Sequence, residues 1–178
     1  RELENKSGVV DGYRGLGWVA AAQGEFAVAR ALREQVLSIR RELKDRAGIA
    51  WALIGLAEVA QMQNDFEKAR TLLEESLALS RECGSTQMIA YGLSGLGRVS
   101  LAQSDYGKAR SLFEEQQAIL KESGSKWGLV FGFLELAQVA RKQVDYALAQ
   151  SHLEDGLVTA KAIGHKWGIG HVLLLMGS

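Results

Sequence analysis

The sequence contains no proline and only one cysteine, Cys83. Without proline, no helix is forced to end by a missing backbone N–H, so the 20 glycines must mark the turns. A single cysteine excludes a disulfide within the chain and favours a reducing compartment. The charged start RELENK does not resemble a signal peptide, and we therefore expect a cytoplasmic location.

Long apolar runs and an excess of one charge are also missing. The longest apolar stretch, residues 49–57, covers about half of the roughly 20 residues that span a membrane. Basic and acidic residues number 21 each, so no electrostatic excess attracts nucleic acid or an anionic membrane. We expect neither as a partner. The chain is 47% hydrophobic and 24% charged, which is typical of a globular domain.

The sequence does contain a repeat of forty residues, which occurs four times. GLGWVA at 15–20 returns as GLAEVA at 55–60, GLGRVS at 95–100 and ELAQVA at 135–140. Alone, the first copy fits the glycine fingerprint of a dinucleotide-binding loop, but such a loop occurs once, between a strand and a helix. Repetition at a fixed period indicates repeat architecture instead. We expect no nucleotide site and no cofactor.

Apolar residues recur every three or four positions, which indicates two amphipathic helices per unit. Helix A is predicted at 7–23, 47–63, 87–103, 127–143 and 167–176, and helix B at 26–43, 66–83, 106–123 and 146–163. An acidic N-cap candidate precedes each helix B: Glu25, Asp65, Asp105 and Asp145. Gly84, Gly124 and Gly164 mark its end, where the first unit has Lys44. Small residues follow core leucines 16, 56, 96 and 136, and they allow close helix packing: Gly17, Ala57, Gly97 and Ala137.

This unit resembles the tetratricopeptide repeat. In the second copy, the consensus places are filled by Leu53, Leu56, Ala57, Ala60, Phe66, Ala69, Leu73 and Leu77. The period is forty residues instead of about 34, and glycine stands where that repeat has proline between units. Phrases such as FEKARTLLEESLALSREC are similar to the long-repeat arrays of bacterial STAND-type ATPases and LuxR-type transcription activators. The resemblance implies an all-α, right-handed αα-superhelix of four hairpins and a fifth helix A.

The repeats fill the chain, so we predict one solenoid domain over residues 1–178. Its repeats lie at about 7–46, 47–86, 87–126 and 127–166, with a partial repeat at 167–178. Residues 1–6 match the tail of a helix B, and the chain stops inside a helix A, so we expect a fragment of a larger protein. The apolar residues 172–176 are then left partly uncovered, which predicts self-association through this C-terminal helix.

The sequence contains no recognisable set of catalytic residues. His152, His165 and His171 lack metal-binding spacing, and Cys83 has no histidine partner at catalytic spacing. We expect no metal site and no enzyme.

A binding surface is what remains. The resemblance implies that helix A lines a concave groove and that a fixed subset of its positions contacts the ligand. In this chain the subset is Arg14, Trp18, Trp51, Ile54, Glu58, Gln61, Tyr91, Arg98, Phe131, Gln138, Arg141 and Lys142. Aromatic and arginine residues dominate binding energies. The row of Trp51, Tyr91 and Phe131 has an alternative, burial between repeats, and the two starting tryptophans, Trp127 and Trp167, are expected to pack at an edge.

These features predict a non-catalytic protein-interaction module that binds a peptide or partner helix in the groove, as the regulatory part of a bacterial signalling protein. Two alternatives stay open: a domain that senses a small inducer for a STAND- or LuxR-type transcription regulator, and a self-association or spacer element. Replacing Arg98 with glutamate is expected to weaken partner binding and to leave the melting temperature nearly unchanged.

Overall fold

The structure is a computed structural model that describes the backbone of residues 2–177 and the side chains of residues 8–177. Within residues 2–177 it contains nine α-helices and no strand. They are α1 (Glu2–Ala22), α2 (Phe26–Glu42), α3 (Arg46–Met62), α4 (Phe66–Glu82), α5 (Thr86–Ala102), α6 (Tyr106–Glu122), α7 (Lys126–Lys142), α8 (Tyr146–Ala162) and α9 (Lys166–Met176). The predicted all-α fold is confirmed.

Only the start of α1 departs from the predicted helix boundaries by more than one residue. Helix α1 begins at Glu2, so the prediction that residues 1–6 form the tail of a preceding helix B is wrong for the described residues 2–6. A helix B of this chain ends at a residue with positive φ, such as Lys44 or Gly84. Glu4, at the equivalent position forty residues before Lys44, continues the helix instead.

Each of the eight turns between successive helices contains one residue with left-handed backbone. After helix B this residue is Gly84, Gly124 or Gly164, as predicted, and Lys44 adopts the same conformation with φ 52°. The turns after helix A were not predicted, because only the first contains glycine. The others hold Asn64, Ser104 and Val144 at φ 60°, 63° and 63°. The β-branched Val144 is the most strained of these, since left-handed backbone costs an L-residue about 1–2 kcal/mol.

The predicted acidic N-caps are confirmed for three of the four B helices. Asp65 accepts a hydrogen bond from the backbone N–H of Lys68 at 3.2 Å. Asp105 and Asp145 each accept from the N–H three residues further on. Glu25 precedes α2 but makes no capping hydrogen bond, because its side chain is one methylene longer than aspartate.

The contacts divide the chain into two compact units, and the boundary in the sequence lies between Met88 and Ile89, within α5. In unit 1, α1 packs on α2 and α3 packs on α4. Contacts between α2 and α3 connect these two hairpins. Its core contains Val10, Leu53 and Leu56. In unit 2, α7 packs on α6 and α8, and α8 packs on α9. The single domain over residues 1–178 stays a prediction.

Small residues make the close packing possible. The alanines that the repeat places on helix B are all buried: Ala29, Ala69, Ala109 and Ala149. A Cβ on Gly97 would lie 2.7 Å from ring atoms of the fully buried Phe113. Leu16, predicted as core, is exposed. The next repeat's Leu56 packs with residues of the preceding helix B, and residues 2–177 include no helix B ahead of α1.

Two polar positions of the repeat join successive hairpins. Arg30 in α2 donates to Gln63 at the end of α3, and Arg110 in α6 donates to Gln143 at the end of α7. The repetition of this arginine and glutamine is therefore explained by architecture within each unit.

Candidate functional site

In unit 1, the A helices expose aromatic side chains. Trp18 of α1 and Trp51 of α3 are 67% and 41% exposed. Arg14 is exposed and pairs with Asp11 at 3.1 Å. Ile54, three residues after Trp51, is buried, so it packs between helices and is not available to a ligand at the surface. The two predicted groove residues near the start of α3 thus differ in exposure, because neighbouring helices cover one and leave the other at the surface.

A pocket of about 310 Å³ opens beside Trp18. Its walls come from α1, α2 and α3: Trp18, Ala21, Ala22, Arg33, Glu58, Val59 and Met62. The pocket brings together two residues of the predicted groove, Trp18 and Glu58. Arg33 lies on a helix B, so it is not among the predicted groove residues, which all lie on helix A.

Arg33 is an exception to the repeat. The equivalent residues forty, eighty and 120 positions later are Leu73, Phe113 and Leu153, and all three are buried. The Arg33 side chain passes Gly17, whose Cβ would lie 3.4 Å from its Cγ, and its guanidinium lies over Gly55. In unit 1, two glycines of the repeated motif therefore leave room for an arginine.

The Arg33 guanidinium has few partners for a buried charge. Its side chain is 13% exposed, and Nη2 lies 3.5 Å from Glu58 Oε2. The Nε atom is buried and has no hydrogen-bond partner. Guanidinium carries five N–H donors, and the Nε donor is the one that is buried without an acceptor. A charged residue at a position that is otherwise apolar is the sequence signal that could have identified it.

In unit 2, Arg98, a predicted groove residue, pairs with a buried carboxylate. Its Nη1 donates to Ser94 Oγ at 3.1 Å and to Glu135 Oε1 at 3.4 Å. The Ser94 hydroxyl donates to the same carboxylate oxygen at 2.5 Å. Burial raises the pKa of Glu135, and Arg98 and Ser94 act in the opposite direction. Glu135 occupies the position that is glycine in the other three copies, 15, 55 and 95.

Five rings form an aromatic patch in unit 2, at the N-terminal ends of α7 and α9: Trp127, Phe131, His165, Trp167 and His171. Trp127 and Phe131 have ring centroids 4.5 Å apart, and Trp167 stacks on His171 at 4.8 Å. Phe131 also stacks on Trp167. The two tryptophans therefore pack against neighbours, as expected, yet each remains about half exposed. Phe131 and Tyr91 are half-buried.

The other predicted groove residues lie at the surface of the A helices. Glu58, Gln61 and Arg141 are partly buried, and Gln138 and Lys142 are exposed. Among the residues that the structure describes, no three histidine, cysteine, aspartate or glutamate side chains are placed to hold a metal ion. None of the described helices is both long enough and apolar enough to cross a membrane.

Part of the chain matches a known repeat family. Residues 9–82 match the family model of the tetratricopeptide repeat. No curated protein sequence matches the chain. The similar solved structures include aspartyl phosphate phosphatase F from Bacillus subtilis, with a TM-score of 0.83, 14% identity, and coverage of 92% of this chain and 43% of that chain.

Two further solved structures share the fold. The apo form of RapI has a TM-score of 0.81 at 19% identity, over 95% of this chain and 62% of that chain. A putative kinesin light chain with nearly identical TPR-like repeats from Podosopora anserina has a TM-score of 0.69 at 18% identity, over 92% of this chain and 91% of that chain. The chain thus spans less than two thirds of the phosphatase and of RapI. At these identities the likeness shows the fold, an array of TPR-like helical repeats, and the match to the tetratricopeptide-repeat model covers residues 9–82, which is less than half of the chain.

Proposed function

We propose that this chain is a non-catalytic protein-interaction module that binds a peptide or a partner helix on the surface of its A helices. One observation carries the proposal. All four tryptophans lie on A helices, and they are 41–67% exposed: Trp18, Trp51, Trp127 and Trp167. Tryptophan is usually well buried, and it is among the residues that contribute most to binding energy at interfaces.

The wider role follows from the resemblance of the repeats. We propose that the chain is a regulatory part of a cytoplasmic bacterial signalling protein, such as a STAND- or LuxR-type transcription regulator. Two features support it: the long forty-residue period and a fold shared with a bacterial aspartyl phosphate phosphatase. The exposed free thiol of Cys83 fits a reducing compartment.

A random peptide library displayed on phage tests the interaction. Peptides selected on the whole chain are expected to lose at least ten-fold in affinity when Trp18 and Trp51 are both changed to serine, because interface tryptophans contribute about 2 kcal/mol or more. Affinity is measured by fluorescence anisotropy with the selected peptide. The matched control changes Tyr146 and Val158 to serine, since these residues are about as exposed as Trp18 and more exposed than Trp51, but lie on α8, a helix B. Equal loss in both variants, or no selected peptide, would contradict the proposal.

Sensing of a small inducer is a second candidate, and the pocket beside Trp18 favours it. Its volume of about 310 Å³ lies at the lower end of the range for small-molecule sites. An inducer that fills this pocket would displace selected peptides that depend on Trp18. Peptides that depend on Trp127 or Trp167, in unit 2, would be unaffected.

Self-association through α9 is the remaining proposal, and it rests on exposed leucines. Leu174 is 69% exposed and Leu173 is exposed beside it. Each leucine side chain removed from water contributes about 1.5–3 kcal/mol. We expect a dimer or larger species at micromolar concentration by light scattering after gel filtration. Changing Leu174 to glutamate and Leu175 to lysine is expected to give a monomer. A monomeric parent chain at high concentration would show the proposal to be wrong.

A further inference from the structure

Arg33 is a charged residue at a position that is apolar and buried in the other three repeats. The equivalent residue is leucine in the second and fourth copies, where it is buried between helices. In the first copy a charged group takes that place, with one ion pair at 3.5 Å and an Nε that has no hydrogen-bond partner. Burying a charge with so few partners costs free energy, and a residue that breaks the local rule in this way is a candidate for a functional role.

We propose that the pocket beside Arg33 is an anchor site for one leucine-sized side chain of a partner peptide, whose main-chain carbonyl accepts a hydrogen bond from the Arg33 guanidinium. This inference rests on the proposed function, because Trp18 and Glu58 belong to the predicted groove. It goes further by naming the group that binds and the residue on helix B that holds it.

The lining of the pocket matches an apolar side chain. Ala21 and Val59 are buried at its walls, and Met62 and Trp18 are exposed beside them. Its volume of about 310 Å³ is small for a drug-sized ligand but sufficient for one side chain and its adjoining peptide groups. Burial of the side chain would supply most of the affinity, because apolar area removed from water is the main favourable term.

The charges of the pocket favour a neutral peptide group over an ion. Arg33 and Glu58 lie side by side and carry opposite charges. A free carboxylate would be attracted by Arg33 and repelled by Glu58, and an ammonium group would meet the reverse. The N–H and C=O of one extended residue lie on the same side of the chain, so together they offer a donor to Glu58 and an acceptor to Arg33, and both charges gain a hydrogen bond.

The test uses N-acetyl-leucine amide, which carries one side chain between two peptide groups. Titrated into the whole chain, it is expected to shift the Trp18 indole N–H resonance in a saturable way, with a dissociation constant in the millimolar range. Arg33→Leu, which restores the residue of the second and fourth repeats, is expected to weaken binding at least ten-fold while it raises the melting temperature. Arg33→Lys is expected to weaken binding as well, because lysine lacks the planar set of donors.

Two controls separate the site from its surroundings. Acetamide lacks the side chain, and acetate carries only the charge, so neither is expected to saturate the Trp18 signal. Unchanged binding by Arg33→Leu, or a lower melting temperature for that variant, would overturn the inference, because Arg33 would then be a structural residue. If the amide fails to bind while selected peptides still depend on the exposed tryptophans, the anchor site is wrong and the proposed function stands.

Discussion

Replacement of Arg98 with glutamate is expected to lower the free energy of unfolding by about 2–3 kcal/mol. The new carboxylate would lie beside the buried Glu135, which would lose its positive partner and gain a like charge. Breaking a fully buried pair costs about 3–5 kcal/mol. The value expected here is smaller because the Arg98 side chain is 45% exposed and partly screened by water. Urea denaturation measures the change.

This result differs from the one that the sequence alone predicts, a melting temperature nearly unchanged. That prediction treats Arg98 as a free member of a surface row, whereas the structure ties it to Ser94 and Glu135. Glu135→Gln provides the control, since a neutral amide does not repel the new carboxylate. In that background Arg98→Glu is expected to cost less than about 1 kcal/mol. An equal cost in both backgrounds would contradict the assigned coupling.

The same carboxylate should give the protein a recognisable pH dependence. Burial raises the pKa of Glu135 above its ordinary value of 4.5, so the folded state binds this proton more tightly than the unfolded state does. Its contribution to stability is therefore fully present below about pH 4.5 and is lost as the pH rises through the raised pKa. Glu135→Gln is expected to remove this part of the pH dependence, which melting curves across that range would show.

Gly97→Ala is expected to destabilise the protein by about 1–3 kcal/mol, although alanine is the better helix former. An added Cβ would lie 2.7 Å from the Cδ1 and Cζ atoms of Phe113, which is fully buried and cannot move into solvent. Other repeats of the chain suggest a substitution that would compensate for this clash. The second repeat combines Ala57 with Leu73 at the equivalent positions, and the fourth combines alanine with leucine in the same way.

The double variant Gly97→Ala, Phe113→Leu therefore reproduces a pair that the protein already uses. It is expected to recover most of the stability lost in Gly97→Ala, with a coupling energy of about 1–2 kcal/mol in the double-mutant cycle. Phe113→Leu alone is expected to be destabilising too, because it leaves a cavity against Gly97. Additive effects of the two changes would show that the ring and the glycine do not constrain each other.

The sequence by itself determined the helices and their ends. Amphipathic spacing, N-caps such as Asp65 and stops such as Gly84 act within a few residues of chain, so they can be recognised without the fold. Because these signals recur every forty residues, the boundaries found in one repeat predict those of the next. Helices α2 to α9 lie within one residue of their predicted bounds. The predicted start of α1 was wrong because residues 2–6 match the end of a helix B in sequence but lack the left-handed residue that ends such a helix.

Only the tertiary structure decided which side chains of a helix are exposed and which are buried. Trp51 and Ile54 lie three residues apart on one helix, yet one is exposed and the other is buried by neighbouring helices. Arg33 is held between glycines of two different helices, and Arg98 meets a carboxylate 37 residues away. Such contacts depend on how successive hairpins stack, since a residue's burial is set by the helices beside its own. The periodicity of apolar residues within one helix does not predict these contacts.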